Sequence, residues 1–90
     1  MKTIIINNIK DVEDFLQSLY DEYDLVFHPD DSFDQYIDRN GKPAFTKIES
    51  DYLDSVMERC FQVCEKNGTN IYEVMEPIQR AEFKKRVLLY

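Results

Sequence analysis

The chain has 90 residues, 43% of them hydrophobic and 13% aromatic, with a formal net charge of −7. That length supports one core and a single domain over residues 1–90, and the interleaving of aromatics with charges argues against disorder. The acidity argues against direct nucleic-acid binding, because phosphates would be repelled, and no uninterrupted apolar run exceeds four residues, so none spans a membrane.

The first element is short and β-prone, Lys2-Thr-Ile-Ile-Ile6, too brief for a signal-peptide core. Asn8 then reads as an N-cap, with Asp11 placed to reach back toward it. Ile9, Val12, Phe15, Leu16, Leu19, Tyr20 and Tyr23 recur every three or four residues, which predicts an amphipathic helix of about fifteen residues. Glu13, Asp14, Asp21 and Glu22 occupy its outer face.

Residues 25–45 are punctuated by Pro29, Gly41 and Pro43. A short helical turn is expected from Ser32, with Phe33, Tyr36 and Ile37 facing inward, and Asn40-Gly41 is a turn signal. Thr46 and Glu49 form a capping box that opens the longest helix, running to about Asn67. Leu53, Val56, Met57, Cys60 and Cys64 mark its buried stripe, with Phe61 on the shoulder, and Gly68 supplies a left-handed stop. Thr69 or Asn70 caps a third helix through Ile71, Val74, Met75 and Ile78, with Pro77 expected to kink or restart it. Beyond Pro77 two readings stay open. Helix continues on propensity, placing Phe83, Val87 and Tyr90 on another face, or 86–90 is extended and pairs with Ile4-Ile5-Ile6.

Two cysteines four apart on a helix face are expected to be buried apolar side chains, since a bond between them would close almost no loop. Zinc would need His28 as a third ligand from a distant loop, so no metal is expected. Asp38-Arg39-Asn40-Gly41 imitates part of an EF-hand, but the first and last ligand positions fall on Tyr36 and Lys47. One histidine, two glycines and no nucleophile elbow or phosphate loop leave no catalytic residues and no cofactor to predict. The chain reads as a non-enzyme.

Phe27-His28-Pro29-Asp30 resembles the His-Pro-Asp tripeptide of J-domain co-chaperones, which sits after an amphipathic helix and triggers ATP hydrolysis by a chaperone partner. In that family the preceding helix is basic. Here it carries Asp14, Asp21 and Glu22 against Lys10, and Asp31 stands where a lysine is expected. Like charges would oppose such docking, so the tripeptide reads as a turn in which Pro29 fixes the backbone and Asp30 or Ser32 caps the next helical turn. A broader pattern, Tyr23-x-Leu25-x-Phe27-His28-Pro29-Asp30-x-x-Phe33-x-x-Tyr36-Ile37, then Phe45-Thr46-x-x-Glu49 and Ile71-Tyr72-Glu73-Val74, is similar to small uncharacterised acidic proteins of gut Bacteroides and their mobile elements. That resemblance implies a cytoplasmic accessory protein and assigns no site residues.

The distribution of charge carries the remaining signal. Between Asp11 and Asp38 lie ten carboxylates and no Lys or Arg, while Arg80, Lys84, Lys85 and Arg86 cluster near the other end. Asp21 and Glu22 sit in the last turn of the first helix, where negative charge opposes the helix dipole. The basic cluster, a partner, or solvent alone would compensate them.

The expected fold is therefore mainly α, a compact three-helix domain with a short extra helical turn and room for a two-stranded ribbon formed by the termini. The expected function is a cytoplasmic protein-interaction module whose partner is a protein with a basic patch. Its surface would be Asp21, Glu22, Asp24, Asp30, Asp31 and Asp34, with Tyr20, Tyr23 and Tyr36 as anchors. The alternatives are a DNA-mimic inhibitor of a nucleic-acid-binding protein and a J-domain-like co-chaperone acting through His28-Pro29-Asp30.

Overall fold

A computed structural model describes residues 3–88, in which three helices, α1 (Ile9–Asp21), α2 (Lys47–Lys66) and α3 (Ile71–Leu88), surround one apolar core. The fold is mainly helical, and among the described residues no strand forms. Gln17 on α1 meets Glu82 on α3, and Tyr20 meets Arg86, so these two helices run in the same direction. Tyr23, just beyond α1, packs on Phe45, just before α2, which makes α2 antiparallel to both. The short link through Gly68 forces the same reversal between α2 and α3.

The helix ends obey the local chemistry. The Asn8 side chain accepts the Asp11 amide at 2.9 Å, while the Asp11 carboxylate accepts from Asn7 and not from the cap residue itself. Thr46 and Glu49 form the full capping box of α2. At its other end Gly68 has φ +73°, and the amides of Thr69 and Gly68 donate to Cys64 and Glu65, the paired bonds of a Schellman stop. Asn70 accepts from the Glu73 amide and starts α3.

The core is built from Val12, Phe15, Leu16 and Leu19 of α1, Leu53, Val56, Met57, Cys60, Val63 and Cys64 of α2, and Ile71 and Met75 of α3. Phe27, Phe33 and Phe45 close it from the connecting segments. A single-turn 3-10 helix, Phe33–Gln35, is the extra turn, capped by Ser32.

Several expectations are corrected. Phe33 is buried as expected, but Ile37 is 68% exposed. Tyr36 already has extended backbone angles, so side chains alternate from there, and Ile37 turns outward into an antiparallel bridge with Pro43. Pro77 does not divide α3, which stays helical through it. Phe83 and Val87, expected on another face of the helix, are exposed on it. Residues 86–88 are helical and leave Ile4-Ile5-Ile6 without a partner strand; the remainder of that expected ribbon, with Tyr90, lies outside the described residues.

Candidate functional site

The acidic stretch continues past the end of α1. Asp24 takes a left-handed backbone, φ +48°, and its amide donates to the Tyr20 carbonyl at 3.1 Å. Aspartate tolerates this conformation better than most residues. The chain then runs with Phe27 turned inward against Tyr20, ring centroids 5.2 Å apart, and Pro29 buried.

Three side chains, Tyr36, Tyr72 and Asp54, pin the segment from His28 to Phe33. The Tyr36 hydroxyl accepts the His28 amide at 2.8 Å. The Tyr72 hydroxyl, from the first turn of α3, donates to the Asp30 carboxylate, and that bond holds the Tyr72 phenol above its ordinary range. Asp54 of α2 accepts from the Ser32 hydroxyl at 2.6 Å and the Phe33 amide at 2.8 Å. The tripeptide is thus an anchored turn capped by Ser32, with the His28 side chain exposed and its Nδ1 accepting the Asp30 amide at 3.3 Å.

These anchors leave a groove of about 370 Å³ beside the turn. Pro29, Met57 and Phe61 give it apolar walls, and Asp30, Asp31, Asp54 and Glu58 bring carboxylates around it. Asp30 and Asp54 are spent on the bonds to Tyr72, Ser32 and Phe33. Asp31 and Glu58 make no side-chain hydrogen bond or ion pair among the described residues, whereas Asp34, outside the groove lining, acts electrostatically on Lys47.

The expected nine-residue surface is not one patch. Asp21 accepts from Gln17, and Asp24 pairs with Arg86 at 3.1 Å near the end of α3, with Glu22 exposed beside them. Asp30 belongs to Tyr72 at the start of α3. Fourteen residues of helix separate Tyr72 from Arg86, about 21 Å. Of the basic cluster, Arg86 alone among the described contacts reaches the α1 end; Arg80 pairs with Glu76, and Lys85 approaches Glu82.

The aromatic anchors are corrected as well. Tyr20 is only 4% exposed, because its position on α1 faces α3 and Phe27. Tyr36 is half-buried with its hydroxyl engaged on His28. Tyr23 keeps an exposed edge although its ring lies 5.3 Å from Phe45. Met57, Glu58 and Phe61 line the groove yet carried no functional signal in sequence; standing at i+3, i+4 and i+7 from Asp54, they mark only a helix shoulder.

Cys60 and Cys64 are free thiols buried in the core. Burial pushes the Cys60 thiol up to about 12, with the neighbouring Cys64 adding to it. Asp38 uses its carboxylate on the Asn40 and Lys42 amides of its own turn, closed by Gly41 at φ +77°. Among the described residues no group of three His, Cys, Asp or Glu side chains is placed to hold a metal ion, and no helix is long and apolar enough to cross a membrane. No family model matches the chain, and no curated protein or solved structure does so either.

Proposed function

We propose that this protein is a non-enzymatic, cytoplasmic interaction module that docks a basic segment of another protein in the groove beside Asp31 and Glu58. The observation that carries this reading is a division of labour among the carboxylates. Asp24, Asp30 and Asp54 hold the fold, whereas Asp31 and Glu58 line a groove walled by Met57 and Phe61 and make no side-chain hydrogen bond or ion pair among the described residues. A lysine or arginine with an adjacent apolar side chain would meet both features at once: charge steers the encounter, and burial on Met57 and Phe61 supplies contact area. The resemblance to acidic accessory proteins of gut Bacteroides is consistent with such a role and adds no residue to it.

Affinity capture from host extract tests the reading, with a second bait carrying Asp31→Asn, Asp34→Asn and Glu58→Gln. Those three changes spare the carboxylates that hold the turn, so the bait should fold as the parent does, which circular dichroism checks. A partner retained by the parent, released by salt and lost from the neutralised bait is the expected result. Equal capture by both baits would make the groove a solvated face. Duplex DNA that displaces the partner would favour the DNA-mimic reading instead.

A further inference from the structure

The segment before α1 has a free backbone edge. Ile4 donates its amide to the Tyr52 hydroxyl at 2.7 Å, and the Ile6 carbonyl accepts from Arg59 Nε at 3.0 Å. Tyr52 and Arg59 lie seven residues apart on α2, about 10 Å along its axis, and three extended residues span about the same distance. Exposure alternates accordingly, with Ile6 buried and Ile5 66% exposed. In extended chain the N–H and C=O of one residue point to one edge and those of the next to the other. Ile4 and Ile6 use the edge facing α2, so Thr3 and Ile5 present theirs to the opposite edge. Neither makes a hydrogen bond among the described residues.

A groove of about 250 Å³ runs between this segment and α1. Phe15 and Leu53 line its apolar part, and the α1 side carries Asp11, which accepts the Asn7 amide, Asp14, whose exposed carboxylate pairs with Lys10 at 2.6 Å, and Glu22. An unpaired extended edge beside a helix-walled groove is the arrangement that adds a strand from another chain: main-chain bonds give affinity, and the groove reads alternate side chains. We propose that the Thr3–Ile6 edge is a strand-addition site for an extended, basic segment of a partner protein. Apolar side chains of that strand pack toward Phe15 and Leu53, and its Lys or Arg side chains meet the exposed carboxylate of Asp14, whose surface pair with Lys10 is weakly held. A second copy of this chain fits poorly, since it would bring its own acidic α1 and a net charge of −7 against the same carboxylates. This site shares no residue with the Asp31–Glu58 groove, so the two stand or fall separately.

The probe is a capped peptide alternating Lys and Val, titrated into the ¹⁵N-labelled full chain, with amide shifts and hydrogen exchange as readouts. The Thr3 and Ile5 amides should shift and gain protection from exchange. Methylating every second peptide nitrogen removes the bonds on one edge and should weaken binding by roughly ten- to thirtyfold, as two lost hydrogen bonds predict. Ile5→Pro removes a donor that has no internal partner and should abolish binding while the helical spectrum is unchanged. Glu58→Lys should leave binding as it was. Unshifted Thr3 and Ile5 amides, equal binding of the methylated peptide or of a Glu-Val counterpart, or loss of binding in Glu58→Lys would each overturn the proposal. So would a salt-insensitive dimer in sedimentation whose contact protects Ile5, which would make the second copy the occupant.

Discussion

Asp54 is the residue on which the acidic turn most depends, and its removal has a calculable effect. Its two oxygens accept from Ser32 and from the amide of Phe33, whose ring is 1% exposed. Hydrogen bonds to a charged acceptor contribute about 1.5–3 kcal/mol each, and the amide left behind in Asp54→Ala carries a further desolvation cost. Asp54 is itself partly accessible, so the lower end of that range applies, and water will satisfy some of what is lost. The expected loss is about 3 kcal/mol in Asp54→Ala and about 1–2 kcal/mol in Asp54→Asn, whose carboxamide oxygen still accepts one bond. A chain of this length has a total stability of roughly 5–13 kcal/mol and an unfolding entropy near about 190 cal/mol/K. The alanine variant should therefore melt about 15 °C lower, with an earlier urea midpoint and an unchanged m-value. Chemical shifts of Phe33 and Tyr36 should move in both variants. If Asp54→Ala lies within about 0.5 kcal/mol of the parent, then Asp54 does not organise the turn and the division between structural and free carboxylates fails.

The packing sets three further outcomes. Among the described residues the buried Tyr20 hydroxyl has no hydrogen-bond partner, so Tyr20→Phe should stabilise the fold by about 1 kcal/mol in urea titration; a comparable loss would mean the hydroxyl is hydrogen-bonded. Glu49 is held below its ordinary value of 4.5 by the backbone and side chain of Thr46. Because the folded-state value is the depressed one, its contribution is present above about pH 4.5 and disappears as pH falls through the folded value. Thr46→Ala should thus cost about 1 kcal/mol near neutrality and less at about pH 3, measured by urea midpoints across pH. Cys60 and Cys64 should resist a thiol reagent at about pH 8 and react at the rate of unfolding; fast alkylation of the folded protein would contradict their burial.

Much of the helical frame was legible because local chemistry specifies it. Asn8, Thr46 with Glu49, Gly68 and Asn70 mark ends through bonds that span three or four residues, and the apolar spacing of α1 and α2 names their buried stripes directly. The readings that failed are those in which tertiary contact competes with a local pattern. Tyr20 and Tyr23 belong to one apolar period, yet α1 stops at Asp21, so one tyrosine enters the core and the other is left at its margin. Ile37 continues the helical spacing of Phe33, but Asp54 holds only one turn in place before the chain becomes extended.

Length, net charge, the lack of a recognisable catalytic motif and the order of the helices were determined by the sequence alone, because each depends on composition or on neighbours within one helical turn. Which carboxylates are free was decided only by the tertiary structure. Asp30 and Asp31 are adjacent and chemically identical, yet the first is committed to Tyr72 across 42 positions and the second lines a groove with Glu58. Likewise Ile4 and Ile5 are the same residue type, and it is the reach of Tyr52 that ties down one and leaves the other's backbone free. Pairings across the fold depend on how helices meet, and that geometry is not written in the spacing of any single segment.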